Sequence, residues 1–199
     1  MSTLEERCLD AFPNWLRSLA DDARALAALL EGKSAAGDAA EGERVEGEGA
    51  SASVSERRSA AVLNYLFKSL DLIPDGLEDL GFIDDAFVVR AAAEAVRLEA
   101  EGELSADSTG TLVRLADEAE LIREFLGSEY ARLSRYVAGL EQSSVRGRSV
   151  ATILSDAGAR ADFVREVREW ADSFAPPSFT RDMRNLVKLR SFLLAKLPA

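Results

Sequence analysis

Apolar residues recur every three or four positions along most of the chain, a spacing that predicts α-helices. The first such segment spans residues 2–30. Two pairs have the spacing of a capping box at its start: Ser2 with Glu5, and Thr3 with Glu6. Pro13 lacks a backbone N–H and restricts the residue before it, so the pattern predicts two helical pieces meeting near Phe12 rather than one straight rod.

Two further helices are predicted in the middle of the chain, over 55–69 and 83–101. The segment between them contains Pro74, Gly76 and Gly81, residues that interrupt helices. We therefore predict an αα-hairpin with a structured connection of roughly a dozen residues, longer than the usual helix–helix loop.

The C-terminal half carries a seam of apolar residues with nearly heptad spacing: Leu112, Leu115, Ala119, Ile122, Leu126, Tyr130, Leu133, Val137 and Leu140. Its spacing changes at Gly127, which predicts one helix bent there, or two helices with Ser128 capping the second. A short helix from Ser149, a helix with Phe163, Val167, Trp170 and Phe174 on one face, and a last helix over 180–197 should follow. No segment alternates with a strand period, so we predict an all-α fold, an irregular bundle built around the hairpin.

Residues 32–55 have a different composition, rich in Gly, Ala, Glu and Ser and nearly free of large apolar side chains. Too little apolar surface is available there to offset the entropy of ordering, so we predict a disordered acidic linker. The predicted organisation is an N-terminal helical segment at 1–31, the linker at 32–55, the hairpin at 56–101, and a helical region at 102–199 that packs with the hairpin as one domain.

Composition excludes several kinds of site. The chain has no histidine and one cysteine, so catalytic triads with histidine, Cys–His dyads, Cys/His zinc sites and disulfides within the chain cannot form. Cys8 is expected to be a small core residue. The net charge of −11 argues against binding nucleic acid. Without a signal sequence or a long apolar run, the chain is expected to be cytoplasmic and to have no membrane span.

The segment from Tyr65 to Asp85 reads YLFKSLDLIPDGLEDLGFIDD. It resembles the signature of the YkvA-like family, a small helical domain without a known reaction, in which Asp-Leu-Ile-Pro-Asp leads through a glycine to Asp-Asp. Three positions depart from that pattern: Lys68-Ser69 replaces Ser-Pro, Gly76 replaces a larger apolar residue, and Glu78 replaces a second proline. The resemblance implies a divergent member with a helical hairpin, and it implies no activity.

Four aspartates in this segment are the candidate site residues: Asp71, Asp75, Asp84 and Asp85. In the first interpretation they are structural, because Asp71 and Asp75 can accept backbone N–H groups around Pro74 while the other two lie in the first turn of a helix, where the dipole favours anions. Tyr65 is expected to be buried with its hydroxyl bonded near them.

In a second interpretation, three or four of these carboxylates converge on a hard cation such as Mg²⁺ or Ca²⁺. Asp84 and Asp85 should point about 100° apart on their helix, so only one of them should share a site with the turn. In a third, a basic residue neutralises the cluster by ion pairing; the candidates are Lys68, Arg57, Arg58 and Arg90.

The last helix concentrates positive charge and has a wide apolar face that should contact neighbours on two sides. With no catalytic set in view, the leading hypothesis is a non-enzymatic protein-interaction or scaffold module, with a protein partner or a homodimer. Such a module is expected to have no catalytic residues and no cofactor. The alternative is a divalent-metal-binding protein that uses the four aspartates, with hydrolysis as its chemistry if it is an enzyme.

Overall fold

The computed structural model describes residues 2–31, 52–68, 71–99 and 106–198, without the side chains of residues 106–109. Its α-helices are α1 (Leu4–Glu31), α2 (Val54–Tyr65), α3 (Ile83–Glu99), α4 (Ala106–Leu126), α5 (Tyr130–Gly139), α6 (Val150–Ser155), α7 (Ala157–Ser173) and α8 (Met183–Lys196). The predicted all-α bundle is confirmed. In the described ranges, no helix is long and apolar enough to cross a membrane.

Helix α1 runs through Pro13 without interruption, so the prediction of two pieces is wrong. The neighbouring residue Phe12 is completely buried, and its ring packs against Trp15 and Phe87 at centroid distances of 5.1 and 5.0 Å. Burying such a ring stabilises the fold by roughly 1.5–3 kcal/mol, comparable to the cost of about 3 kcal/mol for a proline inside a helix. Tertiary packing therefore holds the helix together across the proline.

The start of α1 is held by one of the two expected capping boxes. Glu6 N–H donates to Thr3 Oγ1 at 3.2 Å, and Thr3 N–H donates back to Glu6 Oε2 at 2.9 Å.

Further along the helix, Cys8 is completely buried in the core, as expected. Burial raises the pKa of its thiol to about 12.

Helix α3 lies at the centre of the bundle and contacts α1, α2, α4 and α5. Nearly every residue from Ile83 to Val96 is buried, including four that are charged in water: Asp84, Asp85, Arg90 and Glu94. A helix that is surrounded in this way brings polar side chains into the interior, and each of them needs a partner or a proton.

Helix α2 is joined to α3 by residues 66–82, a longer connection than the dozen residues expected. Ser53 caps α2: Glu56 N–H donates to Ser53 Oγ at 3.3 Å, and Ser53 N–H donates to Glu56 Oε2 at 2.7 Å. Helix α2 therefore begins at Val54, inside the stretch predicted to be linker. The rest of that predicted linker, 32–51, lies outside the described residues.

The apolar seam of the C-terminal half is buried throughout, from Leu112 to Leu140. It divides at Gly127, where a φ of 60° ends α4 and a 3-10 turn, Gly127–Glu129, leads into α5. The two-helix alternative is therefore the observed one. The expected cap at Ser128 is wrong, because Glu129 takes the N-cap position of α5 and makes no side-chain cap bond.

Two short strands follow a second 3-10 turn, Leu140–Gln142. Strand β1 (Ser144–Val145) pairs antiparallel with β2 (Arg148–Ser149). The short helix expected from Ser149 is α6, which Ser149 caps, and Asp156 caps α7. On α7, Phe163 and Val167 are buried. Trp170 and Phe174, the residue that follows the helix, are partly exposed, and their ring centroids lie 4.8 Å apart.

Helix α8 contacts α1, and the segment ahead of it bonds to the α2–α3 connection. Ahead of it, Thr180 N–H and Oγ1–H both donate to Asp79 Oδ1, at 3.0 and 2.8 Å. At the other end the Arg132 guanidinium bonds to the carbonyls of Leu194, Leu197 and Pro198. The helix is thus fixed at both ends, and the side chains on its inner face are buried: Leu186, Leu189, Leu193 and Leu197.

Candidate functional site

The α2–α3 connection is organised around the Tyr65 hydroxyl and the Asp84 carboxyl. Tyr65 O–H donates to Asp84 Oδ2 at 2.7 Å and accepts a bond from Leu72 N–H at 3.0 Å. Ile73 N–H also donates to Asp84 Oδ2, at 3.1 Å. The expected position of Tyr65 is confirmed. The Ile73 N–H beside Pro74 bonds to Asp84 rather than to Asp71 or Asp75. A backbone hydrogen bond lowers the pKa of Asp71, and capping of the turn by Asp71 and Asp75 stays a prediction.

Tight backbone contacts hold the same connection. A Cβ on Gly81 would lie 2.0 Å from the carbonyl oxygen of Asp75, so only glycine fits there. Asp79 and Phe82 both have positive φ angles, 65° and 62°, which are unfavourable for residues with side chains. Backbone strain of this kind costs roughly 1–3 kcal/mol per residue and is often found at functional sites.

All four predicted site residues lie in or beside this turn, and each has a raised pKa. Asp84 and Asp85 begin α3, as expected, and are buried; loss of water is the main cause at both. The charges of Asp84, Asp75 and Asp71 raise the pKa of Asp85 further. The charge of Asp71 also raises the pKa of Asp84. That only one of the two α3 aspartates shares a site with the turn stays a prediction.

Asp71 and Asp75 form the outer part of the cluster, where each carboxyl shifts the pKa of the other. Asp75 reaches solvent, yet partial loss of water and the charge of Asp71 raise its pKa to about 6. The pKa of Asp71 is raised by burial and lowered in part by the positive charges of Lys68 and Lys196. The turn therefore gathers acids with little compensating charge.

The arginines expected to neutralise the cluster lie elsewhere. Arg58 pairs with Glu99 at 2.7 Å and with Glu141 at 3.1 Å, and Arg57 is 3.5 Å from Glu141. That part of the third interpretation is wrong. Lys68 is the one basic candidate close to the turn, and its Nζ donates to the Tyr136 hydroxyl at 2.9 Å.

Arg90, the fourth candidate, is completely buried and belongs to a different network. Its Nε lies 2.7 Å from Glu118, its Nη2 lies 3.4 Å from Asp22, and its guanidinium stacks 4.4 Å from the centroid of the Trp15 ring. Arg114 pairs with both acids. The sequence reasoning missed this network, because its acids come from α1 and α4, distant in sequence from α3.

The fit of a metal to the four aspartates can be tested on the described residues alone. In the ranges 2–31, 52–68, 71–99 and 106–198, no three side chains among Asp, Glu and Cys are grouped so that they could hold a metal ion. Asp71, Asp75, Asp84 and Asp85 as metal ligands stay a prediction.

The outer face of α8 is the second candidate site. Met183 and Val187 expose 48% and 64% of their surface, the largest apolar exposures on this helix. Arg184, Lys188 and Arg190 lie beside them, also exposed, and none pairs with a carboxylate of the described residues. Arginines elsewhere in the bundle are mostly ion-paired, as Arg7 is with Glu124. The outer face of α8 therefore combines apolar surface with uncompensated positive charge.

The comparisons with known proteins bear on the turn. Residues 59–90 match the sequence model of a family described as a protein of unknown function (DUF1232). The match begins within α2, includes the whole connection with its aspartates, and ends at Arg90 in α3. No curated protein and no solved structure matches the chain. The match supports similarity to an uncharacterised family over this segment, and the YkvA-like name stays a resemblance.

Proposed function

We propose that this protein is a non-enzymatic helical interaction module that binds an acidic protein surface through the outer face of α8. The observation that carries the proposal is the exposed Val187 between Arg184 and Arg190, two cations without an ion-pair partner among the described residues. On a chain with a net charge of −11, such a face attracts a negatively charged surface that also offers an apolar contact.

The energetics favour a modest, charge-dependent interaction. Helix α8 already buries its inner face, so binding removes only Met183 and Val187 and the stems of the neighbouring basic side chains from water. Complementary charge at the rim of an interface mainly raises the association rate, and salt screens this attraction at high ionic strength. We therefore expect binding that weakens as salt is added.

The test places a photo-crosslinking amino acid at Val187 in living cells, with the same substitution at Val113 as the matched control. Val113 on α4 is also an exposed valine, 39% accessible, but its neighbour Arg114 is ion-paired. The expected result is a discrete crosslinked protein at Val187, absent at Val113 and lost when Arg184 and Arg190 are replaced by Glu. Equal crosslinking at the two valines, or none at Val187, would refute the proposal.

A second copy of the chain is one acidic partner, and light scattering tests it directly. A dimer mass at micromolar concentration that becomes a monomer mass in the Arg184→Glu, Arg190→Glu variant would identify a homodimer. A monomer mass for the unmodified protein would exclude it and leave a different protein as the crosslinked species.

A further inference from the structure

Each of the inner two aspartates of the cluster has a buried carboxyl oxygen without a hydrogen-bond partner among the described residues. Asp84 is 0% and Asp85 is 2% exposed. Asp84 Oδ1 and Asp85 Oδ2 have no hydrogen-bond partner in the described structure, and no described cation pairs with either side chain. An ionised carboxylate buried without a partner is so unfavourable that the group normally takes up a proton instead.

The surroundings add negative charge rather than positive charge. Helix α2 contributes Tyr65, whose hydroxyl donates to Asp84, and the connection contributes Asp71 and Asp75. Lys68 lies 5.6 Å from the centroid of the Tyr65 ring and donates to Tyr136 on α5. Lys196 on α8 acts on Asp71. The two lysines therefore face the outer rim of the cluster.

We propose that Asp84 and Asp85 form a proton-binding pair that holds protons at neutral pH and fastens the α2–α3 connection to the start of α3. Release of both protons to solvent places two negative charges in the same buried space. The bonds from Tyr65 O–H and Ile73 N–H can stabilise one carboxylate, at Asp84, but Asp85 has no such donors at Oδ2. Deprotonation therefore loosens the connection.

The direction of the pH dependence follows from linkage. Burial raises the pKa of Asp84 to about 7 and raises that of Asp85 well above its usual range, whereas in the unfolded chain both groups titrate at about 4. Below about pH 4 the two aspartates are protonated in both the folded and the unfolded chain, and their contribution to the free energy of unfolding is complete. As the pH rises above about 4, the unfolded chain releases these protons while the folded chain retains them. The free energy of unfolding therefore falls until the folded chain has released them too.

The first experiment follows the Tm from about pH 5 to about pH 9 in the unmodified protein and in Asp85→Asn. Asn resembles the protonated carboxyl in shape but cannot ionise. The expected result is a Tm that falls with pH in the unmodified protein, a much shallower fall in Asp85→Asn, and a higher Tm for the variant at the alkaline end. The matched control is Asp172→Asn, an exposed aspartate paired with Arg24, which should follow the unmodified protein. Parallel curves for Asp85→Asn and the unmodified protein would overturn the proposal.

The second experiment needs no variant and therefore holds even if Asp85→Asn does not fold. The amide resonance of Ile73, which donates to Asp84, is followed by NMR through the same pH range. It should titrate near neutral pH, whereas the amide of Arg160 on α7, which donates to the carbonyl of Asp156 at 2.9 Å, should not. A flat Ile73 titration would overturn the proposal.

A metal titration separates protons from metal ions as the bound cation. At neutral pH, Mg²⁺ and Ca²⁺ should leave the Tm unchanged. A rise of several degrees in the unmodified protein that is lost in Asp85→Asn would show that the cluster binds metal, and it would replace the proton proposal.

Discussion

Two buried ionisable residues of α3 are accommodated in contrasting ways. Arg90 is surrounded by Asp22, Glu118 and the Trp15 ring, so that burial lowers its pKa only to about 10 and it stays charged. Asp85 has no cation partner among the described residues, and in our proposal it holds a proton. Both lie on α3, about one and a half turns apart, within one well-packed helix.

Replacing Arg90 by Met should destabilise the protein by about 3 kcal/mol or more, because Asp22 and Glu118 lose their buried partner. Arg97 provides the matched control on the same helix. It pairs with Asp117 at 2.7 Å, but both side chains are exposed, so Arg97→Met should cost less than about 1 kcal/mol. Urea denaturation at a fixed pH measures both, and equal costs would contradict the account.

Sequence reasoning at this scale succeeded where partners are local and failed where they are not. The hydroxyl of Tyr65 was placed correctly near the aspartates. Arg90 was assigned to the wrong cluster, because helical spacing shows that a residue faces inward without showing which distant acid it meets. The bond from Ile73 N–H went to Asp84 for a similar reason: the fold brings the start of α3 against the turn.

At the scale of elements, helix boundaries follow glycine more closely than proline. Gly127 ends α4 with a left-handed φ, whereas Pro13 is accommodated inside α1 by the buried rings around it. The β1–β2 hairpin was not predicted, because two-residue strands are too short to show a period. The turn between the strands has left-handed φ angles at Arg146 (51°) and Gly147 (78°), and this glycine is a residue type that indicates a turn in the sequence.

Two glycines of the α4–α5 region should respond in opposite ways to alanine. Gly139, at the end of α5, has a helical φ of −68° and open space around it, so Gly139→Ala should stabilise the protein by about 0.5–1 kcal/mol. Gly127 also has open space but a φ of +60°, so Gly127→Ala should destabilise it by about 1–2 kcal/mol. Thermal unfolding compares them, and a stabilising Gly127→Ala would show that α4 and α5 tolerate continuation.

At the scale of the whole molecule, one face of α8 packs in the core and the other is exposed to solvent. The sequence showed a wide apolar stripe and local positive charge, and the expectation of contacts on two sides followed from that width. The structure divides the stripe: the inner leucines belong to the core, and Met183 and Val187 stay exposed. Periodicity alone could not divide it, because the division depends on which helices lie beneath α8.

An aspartate introduced on each face of α8 should affect the stability of the fold to very different extents. Leu193→Asp places a charge at a position that is 0% exposed and should cost at least about 4 kcal/mol, enough to unfold much of the protein. Val187→Asp changes a position that is 64% exposed and should alter stability by less than about 0.5 kcal/mol. Circular dichroism on heating distinguishes them. A folded Leu193→Asp variant would mean that the inner face is not part of the core.

The burial of Cys8 gives the molecule a built-in reporter of its own opening. It is the single cysteine of the chain, it has no accessible surface, and its thiol is protonated at neutral pH because burial raises its pKa to about 12. A thiol reagent can react only after α1 has left the core. The rate at which a thiol reagent labels the unmodified protein therefore reports how often α1 separates from the core. Mass spectrometry measures this rate without a dye or an engineered site.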